Sequence, residues 1–193
     1  MIAIPGYQIL AQIYESSNSQ VYRAIRECDH SYAIVKVLKQ DYPTPEELAR
    51  YKQEYEIIRN LNLEGAIKAY SLEPYQRTLA IILEDFGGSS LKVLQQQRHF
   101  TLAEFLHIGI QIAEVLGKLH TAHIIHKDLN PSNIVFNPTT GQVKIIDFGI
   151  ATVLSRSHPS LKNPQGLEGT LAYMSPEQTG RMNRSLDYRT DFY

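Results

Sequence analysis

Residues 124–149 constrain the fold more than any other stretch, because they carry two short polar motifs between apolar, strand-like segments. The first motif, HKDLNPSN, contains Asp128 and Asn133. The second, DFG, begins at Asp147, fourteen positions after Asn133. Phosphoryl transfer from ATP needs an acidic group at the attacking hydroxyl and oxygen ligands for magnesium, and these three side chains have the spacing of such a set. Either motif alone arises often by chance, whereas the two in this order favour a functional site.

These motifs resemble the catalytic core of the eukaryotic-type, or Hanks-type, serine/threonine protein kinases. The resemblance implies a bilobal α+β fold. Residues 1–86 would form a small antiparallel β lobe with one helix, and residues 87–193 a mainly helical lobe, incomplete at its C-terminus. It also implies ATP and Mg²⁺ as cofactors, with Asn133 and Asp147 as metal ligands and Asp128 as the group that accepts the proton of a protein Ser or Thr hydroxyl.

The first forty residues are strand-like. Three segments rich in β-branched or aromatic residues, YQILAQIY, QVYRAIR and YAIVKVLK, are separated by polar turns and predict an antiparallel meander. The last of them resembles the VAIK strand of kinases, which assigns Lys36 to the α- and β-phosphates of ATP. The same resemblance assigns Val21 and Ala33 to nucleotide binding.

The loop between the first two strands departs from the kinase pattern. The three glycine positions of the family's phosphate loop fall on Tyr14, Ser16 and Ser19, within YESSNSQV, so the loop contains no glycine. Serine and asparagine tolerate tight turns and donate hydrogen bonds, but they lack glycine's freedom at positive φ. We expect these three positions to contact the nucleotide, and to hold ATP loosely or not at all.

The segment PEELARYKQEYEIIRNLN predicts a helix, because acidic residues occupy its first turn and apolar residues recur at helical spacing. It resembles helix αC of kinases, whose glutamate pairs with the strand lysine. Glu54 matches that glutamate by its spacing, and Glu56 is the alternative.

The segment AIKAYSLEPYQRTLAIILEDF predicts two further strands joined by a turn, and the glycine pair in EDFGGSSL breaks regular structure. By resemblance this is the connector between the lobes. Backbone groups of Glu84 and Phe86 would meet adenine there.

A capping box, TLAE, predicts a long helix from Thr101 to about Thr121, because Thr101 and Glu104 can satisfy each other's backbone donors. The apolar residues of this helix predict one buried face, with which it packs as a core helix beneath the catalytic loop, the HKDLNPSN segment of residues 126–133. That predicted face consists of Phe105, Leu106, Ile112, Ala113, Leu116 and Leu119.

Residues 150–168 are polar and contain Pro159 and Pro164, which suits a mobile activation loop. GTLAYMSPEQ follows and resembles the kinase segment that ends in APE. In that resemblance Thr170 faces the catalytic loop, and Asp191 braces the loop from below. The candidate modification sites in the predicted activation loop are Thr152, Ser155, Ser157 and Ser160.

Two substitutions separate the catalytic loop from the usual pattern. Lys127 replaces the arginine of HRD, and Asn130 replaces the lysine that reaches the γ-phosphate. Losing that cation removes electrostatic stabilisation worth roughly a few kcal/mol at a phosphoryl site, although Asn130 keeps its place among the catalytic positions. With the glycine-free loop, these changes leave open a catalytically weak or inactive, pseudokinase-like ATP-binding regulatory module.

Charge and composition narrow the possible partners. Lys and Arg number 19 and Asp and Glu 20, so no net field favours nucleic acid or an anionic membrane. The sequence shows neither a signal peptide nor a run of about 20 apolar residues, which argues against membrane insertion. The single cysteine, Cys28, has no internal disulfide partner, which fits a reducing cytoplasm.

Two stretches indicate which group of kinase domains this sequence resembles. LKQDYPTPEELARYKQEYEI and EGTLAYMSPEQTGRMNRSLDYRTDFY look like the N-terminal kinase head of large bacterial signalling proteins, where ATPase, GAF and histidine kinase modules follow. The similarity covers essentially all 193 residues and implies a fragment or a truncated relative. A small-molecule kinase is a further alternative, against which GTLAYMSPEQ argues because that segment shapes a groove for peptides.

Overall fold

The structure, a computed structural model, forms two compact units. The first comprises Met1–Asn62 and Ile67–Gly87, and the second Leu63–Ala66 and Gly88–Tyr193. The described residues are 2–40, 42–154, 168–181 and 185–193. Most of the predicted activation loop, with Ser155, Ser157, Ser160, Pro159 and Pro164, therefore lies outside the described residues.

The first unit is built on a five-stranded antiparallel sheet with the strand order β1-β2-β3-β5-β4. This sheet, together with the one helix found among the described residues of the unit, confirms the predicted meander and the α+β class. The strand bounds are Tyr7–Glu15 (β1), Ser19–Arg26 (β2), Tyr32–Leu38 (β3), Ala69–Tyr75 (β4) and Thr78–Glu84 (β5).

Alternation along β3 decides which side chains this sheet buries on each face. Successive strand residues point to opposite faces, so Ala33, Val35 and Val37 share one face and Lys36 lies on the other. The first three are at most 1% exposed and join an apolar cluster with Ala24 and Ile82. Lys36 is therefore presented on the face opposite this core.

Helix α1, Pro45–Asn60, packs on β4 and β5. Its start follows from a capping box: the Thr44 hydroxyl accepts the Glu47 N–H, and the Glu47 carboxylate accepts the Thr44 N–H. The helix buries Tyr51, whose hydroxyl donates to the backbone carbonyl of Lys36 in β3. This contact ties the middle of the helix to the strand that carries the lysine.

In its described residues, the second unit combines two α-helices with a three-stranded antiparallel sheet and one two-stranded pair. Helix α3 has the predicted capping box at Thr101 and ends at the predicted residue. The bounds are Ser89–Ser90 (β6), Leu91–Gln97 (α2), Leu102–Thr121 (α3), Ile124–Ile125 (β7), Ile134–Asn137 (β8), Gln142–Ile145 (β9) and Thr152–Val153 (β10), followed by 3-10 helices at Leu171–Tyr173 and Tyr188–Phe192.

Close packing fixes α3 against the segment that precedes β4. A Cβ added at Gly65, whose φ is +92°, would lie 2.1 Å from Val115 Cγ2, so this position needs glycine for its conformation and its space. Gly65 in turn accepts the N–H of Ile145 at 2.8 Å. The helix and the end of β9 are thereby held together through one residue.

The predicted buried face of α3 is partly wrong. Leu116 and Leu119 are buried, but Phe105 is 66% and Leu106 53% exposed, and Ala113 is exposed too. At 3.6 residues per turn, Leu106 and Ala113 lie on the side opposite the buried residues. Apolar residues cover more than half of the circumference of the helix, opposite a polar stripe that includes Glu104, Gln111 and Lys118, so periodicity alone does not show which part of the apolar surface is buried. No helix in the described ranges is long and apolar enough to cross a membrane.

Candidate active site

In the first unit, Lys36 and Glu54 form a buried ion pair. The Nζ of Lys36 donates to Glu54 Oε1 at 2.6 Å, and the two side chains are only 10% and 4% exposed. Glu56, the alternative partner, is exposed on the same helix. A buried ion pair is stable only with good geometry, and losing one partner strands the other charge. The lysine ammonium is thus held in one place by α1.

The predicted nucleotide-binding residues Tyr14, Ser16, Ser19 and Val21 belong to the β1–β2 hairpin. Tyr14 lies within β1, pairs with Val21 across the ladder and is 50% exposed. Ser16 and Ser19 close the turn between the strands, with 3.1 Å between their hydroxyl oxygens. The first of the three glycine positions therefore lies within β1, the second lies in the compact turn, and the third is the first residue of β2.

The other residues assigned to adenine lie on β3 and at the end of β5. Ala33 is fully buried and pairs with Glu84 across the ladder. The Glu84 N–H donates to the Lys68 carbonyl at 3.0 Å, and the Glu84 carboxylate accepts the Lys68 N–H at 2.8 Å. Phe86 follows β5 and is half-buried.

In the second unit, the β8–β9 hairpin determines where the candidate metal ligands lie. Its register pairs Ile134 with Ile145, so Asn133, just before β8, and Asp147, just after β9, emerge at the same end. The Ile146 N–H donates to the Asn133 carbonyl at 2.9 Å, which extends this pairing by one step. Two motifs fourteen positions apart in sequence are therefore neighbours in space.

Both oxygens of the Asp128 carboxylate accept a hydrogen bond. Oδ2 accepts from Nδ2 of Asn133 at 2.9 Å, and Oδ1 accepts from the Thr170 N–H at 2.7 Å. The Asn133 amide also donates to the Asp128 carbonyl at 2.9 Å. Because its nitrogen is engaged twice, Asn133 has its oxygen as the ligand atom for a cation.

Asn130 binds protein groups with its whole amide. Its Nδ2 donates to the Asp128 carbonyl and to the Thr170 hydroxyl, both at 3.1 Å, and its Oδ1 accepts the Ser132 N–H at 2.8 Å. The residue is 5% exposed. In this arrangement Asn130 links the catalytic loop to Thr170. The resemblance placed Thr170 facing this loop, but it did not name Asn130 as the partner.

Two residues of the motifs adopt positive φ without being glycine, Lys127 at 67° and Asp147 at 63°. Such backbone is uncommon outside glycine and costs about 1–3 kcal/mol, so the surrounding contacts must maintain it. At Asp147 the Gly149 N–H lies 3.4 Å from Oδ1. Strain of this kind clusters at functional sites.

Asp191 supplies much of that support, as the resemblance predicted. Its carboxylate accepts the N–H groups of His126 at 2.9 Å and Lys127 at 2.8 Å, and its side chain is 0% exposed. His120, at the end of α3, places Nε2 2.9 Å from the same carboxylate. The His126 ring packs edge-on against Phe148. Three contacts thus converge on one buried carboxylate beneath the catalytic loop.

Lys127 contacts two residues near its loop, Glu168 at the end of the predicted activation loop and Gln178 beyond it. Its Nζ lies 3.4 Å from a carboxylate oxygen of Glu168, and its carbonyl accepts from Nε2 of Gln178 at 2.7 Å. Gln178 is buried and also accepts from Ser175. Sequence reasoning missed Gln178 and His120. Gln178 ends the GTLAYMSPEQ segment, but no role was assigned to it there, and His120 lies outside every motif.

The residues present fit magnesium carried by a phosphate ligand. Among the described residues no group of three or more His, Cys, Asp or Glu side chains could hold a metal ion by itself. Mg²⁺ in nucleotide sites is commonly bound by one or two carboxylates together with substrate phosphates, not by an all-protein cage. One carboxylate, Asp147, beside one amide oxygen, of Asn133, matches that requirement.

This combination of fold and side chains defines a protein kinase domain. Residues 7–193 match the protein kinase domain family, and the chain belongs to that family.

Similar proteins are bacterial serine/threonine-protein kinases. A probable serine/threonine-protein kinase of Clostridium perfringens is 31% identical over 189 residues, covering 97% of this chain and 27% of the relative. The serine/threonine-protein kinase pkn3 of Myxococcus xanthus is 30% identical over 195 residues, covering 97% and 35%. The serine/threonine-protein kinase PrkC of Bacillus subtilis is 29% identical over 174 residues, covering 89% and 26%. The chain therefore spans only about a quarter to a third of the length of these relatives.

Proposed function

We propose that this chain is the catalytic domain of an ATP-dependent protein serine/threonine kinase that acts with Mg²⁺ in signalling. Asp128 orients a Ser or Thr hydroxyl of a protein substrate and accepts its proton. Asn133 and Asp147 bind magnesium, and Lys36, held by Glu54, interacts with the phosphates. When bound, Mg-ATP supplies the phosphoryl group and the cation that screens its charge.

The observation that carries this proposal is the fixed orientation of the Asp128 carboxylate. Donors from Asn133 at 2.9 Å and Thr170 at 2.7 Å hold its two oxygens. Phosphoryl transfer depends largely on placing the hydroxyl, because the protein has little covalent chemistry to perform. The serine/threonine kinase names of the relatives support a protein hydroxyl as the acceptor.

Asn130 takes a positioning part in this proposal. It has no charge to offer a γ-phosphate, and its amide is engaged by Asp128, Thr170 and Ser132. Its contribution is to keep the Thr170 segment beside Asp128. Neutralising the negative charge of the ATP phosphates then depends on Lys36 and on the metal-binding residues.

Incubation with magnesium, labelled ATP and a mixture of Ser/Thr peptides tests the proposal. We expect transfer by the wild-type protein, and a loss of about 10²–10⁴-fold in Asp128→Ala, the usual range for a positioned acid or base. Glu54→Gln should also lose activity, whereas Glu56→Gln, the exposed neighbour on α1, should not. A wild-type protein that binds Mg-ATP without transferring phosphate would contradict the proposal and favour a non-catalytic regulatory module.

We further propose a cytoplasmic signalling protein in which ATPase, GAF and histidine kinase modules follow this domain. The support is the resemblance of LKQDYPTPEELARYKQEYEI and EGTLAYMSPEQTGRMNRSLDYRTDFY to such kinase heads, together with a single cysteine. A nearly balanced charge supports a protein substrate over nucleic acid. Determining the coding sequence beyond codon 193 would test the modular arrangement, and an immediate stop codon would contradict it.

A further inference from the structure

The turn between β1 and β2 is closed by the side chain of Ser16. The Ser16 hydroxyl oxygen accepts the N–H of Asn18 at 3.3 Å and the N–H of Ser19 at 3.0 Å. The Ser16 N–H donates to the Ser19 carbonyl at 2.9 Å. A serine side chain bonded to backbone groups two and three positions ahead stabilises a turn without glycine.

These bonds use most of the backbone donors in the turn. Of the four N–H groups of residues 16–19, three are bonded within the turn. Ser17 has the only one of the four for which the described part of the chain offers no partner. A phosphate-binding loop works by pointing several backbone N–H groups at the ligand. In this turn, three of those N–H groups are instead bonded to oxygen atoms of Ser16 and Ser19.

The turn is also attached to the end of β3. The Lys39 N–H donates to the Asn18 carbonyl at 2.9 Å, and Lys39 forms an exposed ion pair with Glu15. The Lys39 side chain is the main reason that the pKa of Glu15 lies below its ordinary value. Both sides of the turn are therefore connected to one residue that directly follows β3, which limits the movement of the turn.

We infer that Ser16 is a positioning residue that closes this turn on itself and withholds its backbone donors from the phosphates of ATP. The inference rests on the proposed function. The phosphates then depend on Lys36 and on the metal-binding side chains for their interactions. Ser16 sets how much the hairpin contributes to nucleotide affinity, and it does so through the backbone of Asn18 and Ser19.

Amide hydrogen exchange measured by NMR without nucleotide tests the closure directly. Ser16→Ala should speed exchange at Asn18 and Ser19 by about tenfold or more, because each loses its acceptor. Ser16→Thr, which keeps the hydroxyl, should retain the protection. Ser17→Ala is the matched control and should change neither amide. Unchanged exchange in Ser16→Ala would overturn the inference.

Calorimetric titration with adenosine and with Mg-ATP tests the consequence. Ser16→Gly should bind Mg-ATP at least about threefold more tightly than wild type, with adenosine affinity unchanged, because two backbone donors become available to the phosphates. Weaker or unchanged Mg-ATP binding in Ser16→Gly would overturn the inference while leaving the proposed function intact. Absence of both adenosine and Mg-ATP binding in the wild type would overturn both, which separates the two failures.

Discussion

The β1–β2 turn and the catalytic loop show two ways of holding a loop. Ser16 and Ser19 close the turn through contacts only two or three positions apart. The catalytic loop keeps the family's Asp128 and, besides closer contacts, is held by residues 40 to 65 positions away, among them Thr170 and Asp191. A loop stabilised by its own neighbours can be rewritten by local substitutions. A substitution in a loop stabilised from a distance also removes the partner of a remote residue. This fits the retention of Asp128 and Asn133 in the catalytic loop, even though Lys127 and Asn130 depart from the family pattern, while none of the three glycine positions of the β1–β2 turn is kept.

Removing Asp191 should have the largest effect and would test the distant support. Asp191→Ala leaves the buried N–H groups of His126 and Lys127 without an acceptor, and hydrogen bonds to a charged group contribute about 1.5–3 kcal/mol each. We expect the free energy of unfolding, measured in urea, to fall by about 3 kcal/mol or more. Asp191→Asn keeps one acceptor oxygen and should lose less. Equal, small losses in both variants would show that the catalytic loop holds itself.

A smaller effect is expected at Asn130, where the catalytic loop meets Thr170. Asn130→Ala leaves the part-buried Ser132 N–H without its acceptor and releases the exposed Thr170 hydroxyl, and it should lower the free energy of unfolding by about 1–2 kcal/mol. It should also speed amide exchange at Thr170. Asn130→Lys still offers donors but cannot accept from Ser132, so it should lie between Ala and wild type. Identical exchange at Thr170 in all three proteins would remove Asn130 from the positioning role.

The helix caps should give the smallest change, since they act locally, as the β1–β2 turn does. Thr101→Ala should cost about 1 kcal/mol of stability.

The Thr101 N–H, and next the Arg98 side chain, hold the pKa of Glu104 below its ordinary value. A lowered folded pKa stabilises the protein above the ordinary pKa and ceases to do so as pH falls through the folded value. The stability difference between wild type and Glu104→Gln should therefore shrink in acid; a difference that grows there would contradict this.

The sequence was most informative where structure is local. The three N-terminal strands, helix α1 and the capping boxes at Thr44 and Thr101 all follow from residues within a few positions of one another. The order of the HKDLNPSN and DFG motifs also predicted that Asn133 and Asp147 belong to one site. Their proximity required only that two apolar segments pair as a hairpin, and they do.

The sequence was least informative where distant contacts decide the outcome. The buried face of α3 was misassigned at Leu106 because the apolar surface covers more than half of the helix, and only the packed partners show which part of it is buried. Gln178 and His120 bind groups 51 and 71 positions away, and nothing in the sequence around either residue indicates that contact. The hydrogen bonds that Ser16 accepts within its turn are local. The same residues would also allow an open loop, so only the structure distinguishes the closed turn from the open one.

We propose above all that the metal ligands Asn133 and Asp147, and not the β1–β2 turn, hold the phosphates of ATP. The most direct measurement is the affinity for ATP with magnesium and with a chelator, in wild type, Asp147→Ala and Asp128→Ala. Magnesium should tighten wild-type binding by about tenfold or more, and this gain should disappear in Asp147→Ala yet survive in Asp128→Ala, because a metal ligand acts in the ground state and the hydroxyl-facing acid acts mainly during transfer. A magnesium gain that persists in Asp147→Ala, or is lost equally in both variants, would contradict the claim.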